Sequence, residues 1–241
     1  MQVPEGFSVI VIAFDDRHPR PARADFALQL NQRYAERFGI SFQLLVRSAH
    51  TRKMPACWTR VALVADAHRK ASRDPGARGF VIGLHADAVF ASLSYDLRQE
   101  LVEVHPSKAA VVVREAPFHE SGSTLSSSFF GVRIGAAGEA FLQEWLAGFT
   151  PGSWHVENGA WRPLGAASAG DTCEQGRLNY AAAGHADIVC ELPQYLLNSA
   201  FPRPVTGEQN LVLPGILHCT PWPGEDTAEH EARACAAFRE L

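Results

Sequence analysis

Lysine is almost missing from this 241-residue sequence. It occurs at Lys53, Lys70 and Lys108, and the rest of the 22 cationic side chains are arginine. The basic excess that suits a nucleic-acid backbone is missing too. Lys and Arg number 22 against 26 Asp and Glu, for a formal net charge of −4 and an isoelectric point near 6.2. A nucleic-acid partner is therefore not expected. No apolar run approaches the roughly 20 residues of a membrane span; Val9 to Phe14 is typical of the longest. The opening residues, Met1 to Gly6, lack the basic start and apolar stretch of a signal peptide. The five cysteines, Cys57, Cys173, Cys190, Cys219 and Cys235, are odd in number and scattered, which fits neither a disulfide framework nor a zinc-ribbon spacing. Together these absences give the expectation of a cytoplasmic protein with reduced thiols. Abundant arginine and alanine beside so little lysine fit the coding bias of a GC-rich bacterial genome.

What is present is enough to build a core. Hydrophobic residues make up 46% and charged residues 20% of the chain, which excludes disorder as the main state. The length suits one domain, residues 1–241. Phe7 to Phe14 reads as a buried strand, ended by the polar breaker Asp15 to Pro21. A helix from about Arg23 to Phe38 carries Phe26, Leu30, Tyr34 and Phe38 at four-residue spacing, with Gly39 placed to end it. Ser41 to Val46 is a second strand. Trp58 to Lys70 is a helix, and Phe80 to Leu84 a third strand. Further strands are expected at Ala109 to Val113, Phe129 to Ile134, Asp187 to Glu191 and within Leu211 to Thr220. Gly138 to Phe149, Glu174 to Ala183 and Glu225 to Leu241 read as helices. Ser121 to Ser128 reads as a loop, and Phe149 to Asp171 as a long irregular excursion. This alternation predicts an α/β fold with a mixed sheet flanked by helices.

In open α/β sheets, ligands sit beyond the carboxyl ends of strands. The informative polar residues are therefore Asp15-Asp16 after the first strand and His85-Ala86-Asp87 after the third. An i, i+2 pair at a strand end can place two side chains around one cation. By itself the triplet also suits a turn, with Asp87 capping the next element.

The order of several loose motifs adds to this. Asn31 to Gly39 (NQRYAERFG) resembles an N-R-x-x-Y-A-x-R-H-G helix end, and Pro55 to Val61 (PACWTRV) a P-x-W-x-K helix start. Phe80 to Phe90 (FVIGLHADAVF) resembles a strand running into D-x-D, and Glu174 to Leu178 (EQGRL) a D-Q-x-A-L segment. Phe129 to Arg133 followed by Phe141 to Trp145, and then His218, occur in the matching order. The chain thus resembles, from about Phe7 to Gly224, the family of fungal α-galactosyltransferases and plant xyloglucan α-xylosyltransferases. The resemblance implies a GT-A (Rossmann-like) fold, a nucleoside diphosphate sugar donor and transfer to an acceptor hydroxyl with retention at the anomeric carbon. The acceptor would be a bacterial glycan or a small molecule. Nucleotide-sugar contacts would fall on Ala13, Phe14, Asp15, Trp58, Arg60, Ala86 and Ser128. His85, Asp87 and His218 would hold a divalent cation, Mn²⁺ or Mg²⁺, on the diphosphate. Glu174 and Gln175, with Asp87, would be catalytic.

The chain departs from that pattern at informative places. His85 stands where the first Asp of D-x-D is expected, Glu174 replaces the Asp before Gln175, Arg60 replaces a Lys, and Ser126 and Ser128 stand in place of Asn and Gly. An imidazole still ligates Mn²⁺ but removes one negative charge and suits Mg²⁺ less. Two other readings stay open: a metal-dependent hydrolase using His85, Asp87 and His218, and a non-catalytic nucleotide-sugar-binding protein of the same fold. Trp154, Trp161 and Trp222 fall on loops, where they either pack locally or stack on a sugar face. Trp58 and Trp145 also lie on apolar helix faces. The acidic residues Glu225, Asp226, Glu229 and Glu231 read as a solvated helix face.

Overall fold

The computed structural model describes residues 2–15, 17, 20–46, 53–114, 125–164, 173–192, 197–198, 216–218 and 226–239. Of His218 it describes the backbone. Asp16, Trp222, the Gly170 to Thr172 segment and the Pro214-Gly215 break lie outside the described residues.

Eleven strands and six helices follow one another as β1 (Phe7–Phe14), α1 (Ala22–Phe38), β2 (Ser41–Leu45), α2 (Ala56–Ala71), β3 (Arg78–His85), β4 (Ala88–Phe90), α3 (Leu97–Glu103), β5 (Ala110–Arg114), β6 (Leu125–Arg133), α4 (Ala136–Ala147), β7 (Trp154–Glu157), β8 (Ala160–Pro163), α5 (Glu174–Gly184), β9 (Val189–Leu192), β10 (Leu197–Asn198), β11 (Ile216–His218) and α6 (Thr227–Arg239) among the described residues. The main sheet has the order β2-β1-β3-β6-β5-β9. β6 runs antiparallel to both neighbours, β3 and β5, while the other pairings are parallel. The expected mixed α/β sheet is thus present. It is joined by a three-stranded sheet, β10-β11-β4, and by the β7-β8 ribbon.

Both faces of the main sheet are covered, which is why its strands read as continuous apolar runs rather than alternating ones. Val9, Val11, Phe80, Ile82 and Leu84 face one core with Tyr34 of α1 and Leu97 and Leu101 of α3. Ile12, Val81, Phe130 and Val132 face the other, against Trp58, Val61, Phe141, Trp145 and Leu178 of α2, α4 and α5. Gly83 pairs with Phe130 across β3 and β6. A Cβ there would lie 2.3 Å from the Phe130 ring, so only glycine leaves room for it. Phe130 in turn meets Trp145 edge-on, with centroids 4.6 Å apart.

α1 differs from its expected stripe. Its most buried residues are Ala24, Ala27, Asn31, Tyr34 and Ala35, because small side chains let the helix approach β4 closely. Phe26 and Leu30 are half-buried, packed against a cluster that includes Ala234 and Phe238 of α6. Gly39 ends the helix in the left-handed region at φ 63°, as expected. Asn31 is the buried polar anchor: its Nδ2 donates to the Ala88 carbonyl and its Oδ1 accepts from the Phe90 amide, each at 2.9 Å. The Tyr34 hydroxyl accepts from the Leu97 amide at 2.9 Å, and its ring stacks on Phe90.

Three expectations are corrected. Leu125 to Ser128 belongs to β6 rather than a loop, with Ser126, Ser127 and Ser128 buried. The stretch after Phe149 contains a hairpin whose turn, Asn158-Gly159, has positive φ at both residues; Asn-Gly flanked by strand formers is a strong hairpin signal. Glu231 is not a solvated face residue, because it pairs with Arg23.

Asn31→Ala leaves two buried backbone groups of β4 without partners, and should cost about 2 to 4 kcal/mol. Urea denaturation of the two proteins measures this; a loss below about 0.5 kcal/mol would show that α1 does not anchor β4 through this side chain.

Candidate functional site

β2 and β3 flank β1 on opposite sides, so a crevice forms where the chain leaves the carboxyl ends of β1 and β3. A cleft of about 500 Å³ opens there. Phe14 and Asp15 reach it from β1, with Arg17 just beyond; His85 and Ala86 reach it from β3. Ala56, Cys57 and Arg60 come from the first turns of α2. Ser127 and Ser128 come from β6, and Glu174 and Gln175 from the start of α5.

The β6 wall rests on a local irregularity. Val112 pairs with Phe130, but Val113 pairs with Ser126, so the residues between are not laddered to β5. Their backbone groups need other partners: the Ser127 carbonyl accepts from Arg60 and the Ser128 amide donates to the Ser126 hydroxyl, while α5 takes the Ser127 amide and also grips Leu125. The Ser127 amide donates to Gln175 Oε1 at 3.2 Å, and the Leu125 amide to Asn179 Oδ1 at 2.9 Å. Asn179 Nδ2 returns a bond to the Leu125 carbonyl at 3.2 Å. α5 is thus tied side chain to backbone onto β6, and its first turn is aimed at the cleft. Trp145 fixes the same turn, donating its indole N–H to the Glu174 carbonyl at 2.8 Å.

Arg60 and Glu174 form a buried pair across that wall. Arg60 is 4% exposed. Its Nη2 lies 3.5 Å from Glu174 Oε1 and donates to the Ser127 carbonyl at 2.8 Å. The Ser127 hydroxyl donates to Glu174 Oε1 at 2.9 Å. Among the described residues the Arg60 Nε has no hydrogen-bond partner. Burial lowers the pKa of the Arg60 guanidinium from its ordinary value, while Glu174 pulls it the other way. Burial pushes the Cys57 thiol up, and the hydrogen-bonded carboxylate of Glu174 pushes it further.

The second wall is a cluster of buried carboxylates and arginines. Asp15 and Asp87 are each 4% exposed. Arg17 grips Asp15 with Nε at 2.7 Å and Nη2 at 3.1 Å, and reaches Asp87 Oδ2 with Nη1 at 3.4 Å. Arg23 Nε donates to the same Asp87 oxygen at 3.2 Å and its guanidinium pairs with Glu231 of α6. The other Asp87 oxygen contacts His85 Nδ1. Burial alone would lower the Arg17 pKa; the hydrogen bonds and charges of Asp15 and Asp87 outweigh it, and the pKa stands above its ordinary value.

Most of the site residues expected from sequence meet here. Phe14, Asp15, Arg60, His85, Ala86, Ser128, Glu174 and Gln175 line the cleft. Ala13 and Trp58 do not: Ala13 is buried within β1, and Trp58 is 0% exposed, packed beside Phe149 in the core. Asp87 is not a solvent-facing strand-end carboxylate but a buried one held by arginines. The backbone of His218 pairs with Ala88, next to Asp87. Arg17, Cys57 and Ser127 were not singled out in the sequence. Arg17 stood in the polar breaker after β1, where the position alone was a signal.

The described members of the expected cation set, His85 and Asp87, fit a divalent cation poorly. Among the described residues no group of three His, Cys, Asp or Glu side chains is placed to hold a metal ion. Asp87, the one carboxylate of the expected set His85, Asp87 and His218, already carries Arg17 and Arg23 as guanidinium partners.

Among solved structures, one similar to this chain is that of a glycosyltransferase involved in the glycosylation of the major capsid of PBCV-1. The TM-score is 0.61 at 11% sequence identity, covering 95% of this chain and 99% of the other. At that identity the likeness is one of fold, and the fold is a mixed α/β sheet of GT-A type. No protein-family model matches the sequence, and no curated protein does.

Because its pKa is raised, Cys57 stays a neutral thiol at pH 8 and should be alkylated by iodoacetamide at least about tenfold more slowly than a free cysteine. Glu174→Gln removes one cause of the rise and should speed the reaction. Site-resolved mass spectrometry reads both rates; a Cys57 as reactive as free cysteine contradicts the geometry of this wall.

Proposed function

We propose that the cleft binds a nucleoside diphosphate sugar, UDP- or GDP-linked, and transfers its sugar to a hydroxyl of a glycan or small-molecule acceptor with retention of configuration. The observation that carries this reading is the convergence of Phe14-Asp15, His85-Ala86, Arg60 and Glu174-Gln175 on one cleft at the β1–β3 switch point, in the order the sequence resemblance implies. The likeness of fold to a glycosyltransferase supports it.

In this reading the end of β1, at Phe14 and Asp15, meets base and ribose. Arg60 faces phosphate or sugar. Glu174 and Gln175 line the sugar face opposite the leaving group. Glu174 is suited to electrostatic stabilisation of oxocarbenium character: its carboxylate is oriented by Ser127 and Arg60 and needs no reorganisation as positive charge develops. A nucleophilic role suits it less, since Oε1 is already held by two donors. Gln175 has its amide oxygen committed to Ser127, which makes it a positioning residue for β6. No step here is routed through a metal ion, because Asp87, the carboxylate that would bind one, is engaged by Arg17 and Arg23.

Thermal shift with a panel of nucleotide sugars, followed by NMR of the product, tests this. A bound donor at a hundred times its Kd raises stability by about 2.7 kcal/mol, and the product should keep the donor's anomeric configuration. Glu174→Gln should retain donor binding and slow transfer at least about a hundredfold. Binding without turnover supports the non-catalytic alternative; no stabilisation by any nucleotide sugar at millimolar concentration overturns the reading.

A further inference from the structure

Resting on that donor reading, we infer that the diphosphate is held by guanidinium groups, Arg17 above all, in the role the sequence resemblance gives to a divalent cation. The two carboxylates at the ends of β1 and β3 are buried and both grasped by Arg17, with Arg23 as the second partner of Asp87. Arg17 and Arg20 bring positive charge to Asp15, and Arg17 and Arg23 bring it to Asp87. The arginines therefore already bring the charge that the cation would supply. A cation added at Asp87 would be set against Arg17 and Arg23.

Arg17 is also built to reach outward. It lines the cleft, with about a third of its side chain exposed. A guanidinium has five N–H donors in a fixed fork. Three are used on Asp15 and Asp87 through the side chain, which, among the described residues, leaves two for phosphate oxygens. Its own amide also donates to Asp15, at 3.1 Å, so backbone and side chain are locked to one carboxylate and the fork is pre-oriented. Arginine is suited to this task because its planar fork matches phosphate oxygens in pairs.

The opposite wall carries a second buried guanidinium, Arg60, whose Nε has no partner among the described residues. The first turn of the 16-residue helix α2 adds Ala56 and Cys57 to the same wall, where the positive end of the helix dipole favours an anion. The anion would thus lie between two arginines fixed to different parts of the fold: Arg17 to the ends of β1 and β3, Arg60 to β6 and α5.

Calorimetry with UDP, GDP, inorganic pyrophosphate and the parent nucleosides decides the matter, each titrated in EDTA and in Mn²⁺. The wild-type protein should bind the preferred nucleoside diphosphate with a Kd that agrees within about twofold in the two buffers. Arg17→Ala should weaken nucleoside diphosphate and pyrophosphate at least about tenfold and leave the nucleoside unchanged, with Arg17→Lys in between. Thermal melts of each variant establish that it is folded; if Arg17→Ala does not fold, the wild-type EDTA arm decides by itself. Binding that appears only with Mn²⁺, or an Arg17→Ala protein that binds as well as wild type, overturns the guanidinium site while leaving the donor reading intact. If neither nucleotide binds in either buffer, the donor reading falls and the guanidinium site falls with it.

Discussion

Two carboxylates buried at the ends of adjacent strands set the terms for this molecule. Asp15 and Asp87 are almost fully removed from water, and an uncompensated buried charge costs several kcal/mol. Compensation must come from cations in fixed positions. Arg17 supplies it from the segment after β1, and Arg23 from the first turn of α1. Because Arg23 also pairs with Glu231, the C-terminal helix α6 is drawn into the same cluster. The contact between α1 and α6 is therefore electrostatic at one end and apolar at the other, where Ala234 and Phe238 pack with Ala27 and Val89. A surface ion pair would be worth little; this cluster matters because it lies beneath the cleft and determines which charges face it.

The opposite wall solves a different problem. β6 departs from its ladder with β5 just where it reaches the cleft, and a departure of that kind leaves backbone groups to be satisfied. Gln175 of α5 takes the Ser127 amide, Arg60 the Ser127 carbonyl and the Ser126 hydroxyl the Ser128 amide, Asn179 ties the adjoining Leu125 to α5, and Trp145 holds the first turn of α5 through its carbonyl. The consequence is functional: Glu174 has its position set by a strand, two helices and the Arg60 guanidinium. A carboxylate fixed in this way can act on developing positive charge without first rearranging.

Much of this was legible in the sequence, for reasons of periodicity and position. Buried parallel strands announce themselves as short apolar runs, and the residues that follow them, Asp15 and His85-Ala86, do border the cleft. Helix ends were clear where chemistry enforces them, as at Gly39. Ser126 to Ser128 misled because serine clusters suggest loops, whereas here buried hydroxyls and amides are satisfied by a helix distant in sequence. The hairpin at Asn158-Gly159 carried a local signal that its Trp- and Gly-rich surroundings obscured. Trp58 sat in a motif and on an apolar face at once, and packing claimed it. Partnership between charges was the least legible feature. Nothing in the spacing of Asp15, Arg17, Arg23, Asp87 and Glu231 reveals that they share one cluster, because the contacts join residues up to 208 apart.

The central claim is that the cleft between the ends of β1 and β3 seats a nucleoside diphosphate sugar. A crystal structure of the protein grown with its stabilising nucleotide sugar, in the presence of EDTA, tests it most directly. The account predicts the base beside Phe14 and Asp15, the diphosphate between Arg17 and Arg60, and the sugar facing Glu174, without a metal ion on Asp87. A nucleotide sugar bound elsewhere on the molecule, or seated in the cleft with its diphosphate turned away from both arginines, would contradict it.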